Sequence, residues 1–160
     1  MATTSPRALL ERLLSPAEAR TTIPAPRDDV FAVVSDPETY PDWLAGAQRI
    51  RHVDVDFPRP GAAFDHEVGP TKDTTVADDS TSLIVDPPHR LQLEVHVGPI
   101  TGIVDFELVA GGKDTEVTLR ESAAGRLGLA MPLLRLPIYL RNKASLAKLR
   151  QRFTALVVPL

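Results

Sequence analysis

The sequence contains no cysteine. This absence excludes a disulfide framework, a thiolate metal site and a cysteine nucleophile, and it is typical of proteins from a reducing compartment. No run of eighteen apolar residues occurs, and Arg7, Glu11 and Arg12 interrupt the start of the chain too often for a secretory signal. We therefore expect a soluble, cytoplasmic protein.

The sequence also lacks the short motifs of several functional classes. The four histidines show no HExxH spacing, the glycines form neither a P-loop nor a dinucleotide fingerprint, and no serine lies in a GxSxG elbow. The basic C-terminal segment has no interleaved, exposed aromatic residues of the kind that stack on nucleic acid. We expect no metal, no cofactor and no nucleic-acid partner.

What is present fits one globular domain. The chain has 160 residues, of which 43% are hydrophobic and 24% charged. Many of its fifteen prolines stand where a turn or a helix start would use them, which indicates many short elements and favours a β-rich or α+β fold. With no internal repeat and no linker, residues 18–160 are predicted to form the domain and residues 1–17 a helical extension.

Capping residues and periodicity place the first elements. Ser5 and Pro6 open a short amphipathic helix that carries several leucines. Residues 18–24 have the β-branched composition of a strand closed by a proline. Pro26 then starts one helix and Asp36 caps a second, so two short helices are expected after the first strand.

From Gln48 onward the hydrophobic period changes to two, which predicts strands. Glycine and proline turns separate the candidate segments at the intervals of an antiparallel meander. The predicted strands are 48–56, 62–69, 74–86, 90–98, 100–110 and 114–123. Together with the first strand they make a sheet of seven.

The C-terminal segment is predicted to be a long helix that begins after the proline-rich stretch MPLLRLPIY. Tyr139, Leu146, Leu149, Phe153 and Leu156 follow one another at spacings of seven, three, four and three, which is a single helical stripe. The basic residues of the segment fall largely off this stripe. A helix of about twenty residues with one apolar face is therefore expected.

Three stretches of the sequence resemble one known superfamily. The stretch IPAPRDDVFAVVSDPETYPDWLAG, residues 23–46, is similar to the opening of SRPBCC proteins, the bacterial polyketide cyclase/dehydrase and lipid-transport relatives of START domains. TEVTLRESAAG and LRNKASLAKLRQRF resemble the last strand, the crossing loop and the terminal helix of the same group. The resemblance implies an α+β helix-grip fold, in which a curved antiparallel sheet surrounds a long C-terminal helix, with a cavity for an apolar ligand between them. It supplies no shared catalytic motif.

Strand alternation indicates which side chains would face such a cavity. His66 and Glu121 are polar but share the parity of apolar neighbours, so they are candidate general acids or bases. Equally, Glu121 could pair with Arg141 and His66 could be a hydrogen-bonded core histidine. The residues predicted to contact a ligand are Trp43, Phe64, His66, Val95, Phe106, Leu119, Glu121, Met131, Leu134, Tyr139, Asn142 and Leu146.

Three functions follow from this pattern. The first is a binding or carrier protein for a hydrophobic small molecule such as a lipid, sterol, quinone or polyketide. The second is a cofactor-free polyketide cyclase or dehydratase that uses Glu121 or His66. The third is an interaction protein that uses its basic C-terminal helix, because residues 126–160 carry seven Lys/Arg and no Asp/Glu. The same charges could instead rest on an anionic membrane surface or lie across an acidic sheet.

Overall fold

The first helix begins as its sequence predicts. The computed structural model describes residues 5–155, and α1 spans Pro6–Leu13. The Ser5 hydroxyl accepts a hydrogen bond from the Ala8 N–H at 3.3 Å, and Pro6 occupies the first turn, where a missing N–H costs no bond. No residue of α1 is buried. The helix is joined to the rest of the fold by a contact from Arg135 to the carbonyl of Arg12.

Seven antiparallel strands form one sheet, as predicted. Its order is β1-β7-β6-β5-β4-β3-β2, so the strands after the first form a meander and β1 pairs with β7. The strands are β1 (Ala17–Ile23), β2 (Ala47–Val53), β3 (Ala63–Thr71), β4 (Thr74–Asp86), β5 (Arg90–Val97), β6 (Ile100–Gly111) and β7 (Asp114–Ala123). Register shifts interrupt the β2–β3 and β4–β5 ladders, and irregularities of this kind help a sheet to bend.

Two strand ends differ from the sequence prediction by more than one residue. β2 stops at Val53 because the Asp54 carboxylate accepts a hydrogen bond from the Ala63 N–H at 2.8 Å, which starts the loop early. β3 continues through Pro70 to Thr71, two residues beyond its predicted end at Gly69. A Cβ atom at Gly69 would lie 1.9 Å from the Thr74 carbonyl oxygen, so glycine at this position permits a close approach of β4 rather than a turn.

The two short helices after β1 are confirmed. They are α2 (Arg27–Val34) and α3 (Tyr40–Trp43), with a 3-10 turn between them at Pro37–Thr39. The Asp36 carboxylate accepts a hydrogen bond from the Glu38 N–H at 3.1 Å, so Asp36 is the predicted cap. Each helix buries large apolar side chains against the sheet, which fixes its position.

The C-terminal helix, α4, spans Met131–Ala155 and packs mainly against β1 and β7. It begins earlier than predicted, because the proline-rich stretch forms its first turns. Pro132 lies in the first turn, where helix N–H groups have no partner, and Pro137 is accommodated inside the helix. Leu146, Leu149 and Phe153 are buried as expected, whereas Leu156 lies outside the described residues. Within residues 5–155, no helix combines the length and apolar character needed to cross a membrane.

An aromatic cluster fixes α3 beneath the sheet. The Tyr40 ring stands edge-on to Trp43 and to Phe64, with centroids 5.3 and 5.5 Å apart, and Trp43 stands edge-on to Phe106 at 6.0 Å. The Tyr40 hydroxyl donates a hydrogen bond to the Val34 carbonyl at 2.7 Å. Burial raises the pKa of Tyr40, so the phenol remains a neutral donor within the core.

Candidate functional site

A cavity of about 200 Å³ lies between the concave face of the sheet and helices α3 and α4. Its walls are mainly apolar, because alternate residues of β5, β6 and β7 point to the same face. Six of these strand residues line it: Leu93, Val95, Val97, Val104, Phe106 and Leu119. This is the position at which the helix-grip arrangement predicts a ligand.

Four buried polar side chains also face this cavity. His66 on β3, Asp78 and Ser80 on β4, and Asn142 on α4 line it, and none is more than 5% exposed. His66 Nδ1, Asp78 Oδ1, Ser80 Oγ, Asn142 Nδ2 and Asn142 Oδ1 have no hydrogen-bond partner in the described protein. An unsatisfied buried polar atom costs about 1–3 kcal/mol, so a molecule that hydrogen-bonds these atoms would gain affinity. The cavity thus has a polar side and an apolar side.

His66 and Asp78 form a close pair across the β3–β4 ladder. They are direct register partners, and His66 Nε2 lies 2.8 Å from Asp78 Oδ2. The two atoms are close but are not aligned for a hydrogen bond. The His66 ring also stands edge-on to Phe64, with centroids 5.1 Å apart. The pair therefore holds an imidazole and a carboxylate at the cavity wall.

Glu121 and Arg141 form a second pair at the cavity. Arg141 Nη2 donates to Glu121 Oε2, which joins β7 to α4. Glu121 is half-buried and Arg141 is exposed. Of the two interpretations left open by the sequence, the structure shows the ion pair, which engages the carboxylate that was a candidate acid or base.

The structure brings seven of the predicted ligand residues together around the cavity. They are Phe64, His66, Val95, Phe106, Leu119, Glu121 and Asn142. The other five do not line it: Trp43, Met131, Leu134, Tyr139 and Leu146. Four of these five lie on α4: Leu146 packs in the hydrophobic core, Met131 is buried and accepts a hydrogen bond from the Ala123 N–H, and Tyr139 lines a groove beside β1. Trp43 lies in the core and donates a hydrogen bond to Thr39.

Asp78 and Ser80 were missed by the sequence analysis. The apolar-parity rule fails on β4, where the buried positions 78, 80 and 82 are Asp, Ser and Ser, while Leu83 and Ile84 are exposed. The β3–β4 turn lies at residues 72–73, and counting outward from it would place Asp79 opposite His66. A register shift between Val68 and Thr71 moves the pairing by one residue and brings Asp78 opposite His66 instead, so counting from the turn selects the wrong residue.

The outer face of the sheet carries a wider, charged depression of about 510 Å³. Most of its charged side chains pair across strands, since Arg90 binds Asp105 at 2.9 Å and Arg120 binds Glu107 at 2.7 Å. These hydrogen bonds raise the pKa of each arginine. Arg27, which also lines the depression, has a buried Nε without a hydrogen-bond partner in the described protein. No cluster of side chains in residues 5–155 could hold a metal ion.

Comparisons with known proteins support the fold. The family model "Activator of Hsp90 ATPase homolog 1-like protein" matches residues 24–130, which is more than half of the chain. No curated protein matches the chain at a significant level. A solved structure from Rhodobacter sphaeroides superposes with a TM-score of 0.73 at 17% identity, covering 91% of this chain and 96% of that one.

Two solved structures come from biosynthetic systems. DynU16, a protein of the dynemicin biosynthetic locus, has a TM-score of 0.64 at 21% identity and covers 88% of this chain. The di-domain ARO/CYC StfQ of the steffimycin biosynthetic pathway has a TM-score of 0.67 at 13% identity and covers 91%. This chain spans only 47% and 53% of their lengths. At such identities the likeness confirms the helix-grip fold alone.

Proposed function

Because this chain belongs to the family of Activator of Hsp90 ATPase homolog 1-like proteins, within the SRPBCC superfamily, we propose that it binds a small hydrophobic molecule in its cavity. The observation that carries the proposal is the set of unpartnered polar atoms on one side of an otherwise apolar cavity. A ligand with an apolar body and hydroxyl or carbonyl groups at one end matches both sides. The lack of cysteine supports a cytoplasmic location, which is part of the proposal.

The volume of the cavity narrows the ligand class. An engineered cavity of about 150 Å³ accommodates benzene, and typical pockets for larger ligands measure about 300–1,000 Å³. At about 200 Å³, this cavity matches one substituted ring. Among the ligands that the sequence suggested, a compact aromatic polyketide or a quinone ring fits better than a sterol or a long-chain lipid.

The charges around the cavity favour an uncharged ligand. Asp78 lies against His66, and Glu121 is bound by Arg141, so each carboxylate at the cavity already lies beside a basic side chain. An added carboxylate would meet two acidic groups and no unpaired cation among the described lining residues. We therefore expect neutral hydroxyl and carbonyl groups to bind better than the carboxylate of a fatty acid.

Isothermal titration calorimetry tests this proposal with a neutral hydroxyaryl ketone, 2,4-dihydroxyacetophenone, as the probe and a long-chain fatty acid for comparison. Asn142→Leu removes a polar partner from the cavity, and we expect it to weaken binding of the ketone roughly tenfold, the value of one good hydrogen bond. Gln151→Leu, an exposed position on the same helix, is the matched control. If the wild-type protein binds neither compound, or if Asn142→Leu binds the ketone unchanged, the proposed site is wrong.

The His66–Asp78 pair supports a second candidate function, cofactor-free acid–base catalysis on the bound molecule. A carboxylate 2.8 Å from an imidazole can hold the ring in position while a proton moves to or from a substrate. Between the two residues suggested as acid or base, His66 has a ring nitrogen without a partner, whereas Glu121 is held by Arg141. The reaction would be an enolisation or dehydration of a cyclase or dehydratase type.

Measuring both turnover and ligand affinity of His66→Gln distinguishes a catalytic function from a carrier function. General acid–base groups contribute about 10²- to 10⁴-fold to a rate, so kcat should fall by that factor while ligand affinity stays within a few-fold. His96→Gln is the control, because His96 lies on the outer face beside Asp79. A turnover that is unaffected by His66→Gln would exclude this role and leave the binding function.

A further inference from the structure

Helix α4 exposes a row of leucines opposite its buried face. Leu133, Leu136 and Leu140 are 82%, 64% and 56% exposed, and Leu129, in the 3-10 turn before the helix, is 74% exposed. Spacings of four, three and four place them on one helical face, which we call the leucine stripe. Exposed apolar side chains that lie together and are rimmed by polar residues are typical of protein or membrane interaction sites.

Helix α1 brings more exposed leucines to the same part of the molecule. Leu9, Leu10 and Leu13 are 52%, 55% and 44% exposed. The C-terminal end of α1 is held to α4 by the hydrogen bond from Arg135 Nη1 to the Arg12 carbonyl at 3.1 Å. The unburied apolar faces of α1 and of the first half of α4 are thus linked through this contact.

Positive charge surrounds the leucine stripe. Residues 126–155 contain seven lysine or arginine residues and no aspartate or glutamate. Arg126, Lys143, Lys148 and Arg150 have no acidic partner among the described residues, whereas Arg141 and Arg152 are paired with Glu121 and Asp42. Successive residues of an α-helix are rotated by about 100° around the helix axis. By this rotation Lys143 lies on one side of the leucine stripe and Lys148 on the other, each within about two helical turns of Leu140.

We propose that the leucine stripe docks on an anionic lipid bilayer. Leucines inserted at the boundary between headgroups and acyl chains, with cations beside the lipid phosphates, are the features of an interfacial helix. A second copy of the chain is a poor occupant, because a two-fold interface would set these uncompensated cations against their own copies. Asn142 lines the cavity from the face of α4 opposite the stripe, so docking leaves the cavity about one helix diameter, roughly 10 Å, from the bilayer surface. The proposal does not depend on which ligand the cavity holds.

Flotation with vesicles tests the proposal. The full chain is mixed with vesicles of phosphatidylcholine alone, and with vesicles of phosphatidylcholine and phosphatidylglycerol. Binding is expected only to the anionic vesicles and should weaken with salt. Each cation near an anionic surface is worth about a fivefold change in affinity, so Lys143→Gln with Lys148→Gln should weaken binding about 25-fold.

Two further variants distinguish binding through the leucine stripe from nonspecific adsorption to vesicles. Leu133→Ser with Leu136→Ser should abolish flotation, and because both side chains are exposed the variant should keep its melting temperature. Leu83→Ser with Ile84→Ser, exposed on β4, should float like the wild type. Equal binding to both vesicle types, no binding by the wild type, or unchanged flotation of the leucine variant would each overturn the proposal. So would a dimer in sedimentation velocity that the leucine variant dissociates, since that would assign the stripe to a second copy.

Discussion

At the scale of single residues, Asn142 is a buried polar side chain that no contact within the fold requires. It is 1% exposed on the buried face of α4, yet neither atom of its amide has a hydrogen-bond partner in the described protein. Nothing in the fold therefore requires an amide at this position. A residue that is costly to bury and unused by the fold is best explained by the molecule that the cavity binds.

We predict that Asn142→Leu stabilises the ligand-free protein. The substitution keeps a similar volume and removes the desolvation cost of the amide, so the free energy of unfolding should rise by about 1–3 kcal/mol. Urea denaturation of both proteins measures the change. A destabilised Asn142→Leu variant would show instead that the amide supports the native structure.

The contact between His66 and Asp78 leads to a prediction about the stability of single and double variants. The two side chains are buried in contact, so removing one leaves the other without its partner; in buried polar pairs this typically costs about 3–5 kcal/mol, whereas replacing both by apolar residues is often near neutral. We predict that His66→Leu is strongly destabilising and that adding Asp78→Leu recovers most of the loss. A thermodynamic cycle from urea melts gives the coupling, and independent, additive losses would show that the two side chains do not interact.

At the scale of elements, the ion pairs of the outer face tie β1 to β7 and β6. Arg120 on β7 binds Glu18 on β1 and Glu107 on β6, each at 2.7 Å. Burial by itself would raise the pKa of Glu18, but the hydrogen bonds from Arg120 and Arg20 outweigh it and lower the pKa below its ordinary value of 4.5. The ionised form of Glu18 is therefore favoured by folding.

The lowered pKa of Glu18 makes the stability of the protein depend on pH. A carboxylate with a lowered pKa contributes stability above its unfolded pKa, and the contribution is lost as the pH falls through its folded pKa. We predict that Glu18→Gln is less stable than the wild type at neutral pH and that the difference shrinks below about pH 4. Denaturation curves over a pH series measure the difference. A gap that is constant with pH would mean that the charge of Glu18 adds nothing.

Some of these elements can be predicted from local sequence patterns and others cannot. Alternation and turn chemistry were sufficient for the seven strands and the two short helices, because each has a local signal. The start of α4 was missed because prolines usually end helices, whereas here Pro132 lies in the first turn and Pro137 is tolerated inside the helix. Asp78 was missed because its strand turns a polar face inward, and only the long-range pairing with His66 reveals this.

At the scale of the whole molecule, two opposite faces of α4 have separate uses in this account. The inner face packs on the sheet and contributes Asn142 to the cavity, while the outer face carries the leucine stripe. In a carrier, this arrangement would place the ligand cavity close to the lipid from which an apolar molecule leaves or to which it returns. The two proposals rest on different residues, so either can fail without the other.

Whether the cavity binds a ligand can be measured by native mass spectrometry of the freshly purified protein, followed by denaturing extraction and by incubation with 2,4-dihydroxyacetophenone. We expect a stoichiometric neutral adduct of about the size of one substituted ring, consistent with the volumes that such cavities hold. The cavity-filling variant Val95→Phe should lose the adduct while remaining folded, since filling a cavity removes the space that the ligand needs. A protein that carries no adduct, and that takes up none from the ketone, would contradict the claim that this cavity is a ligand site.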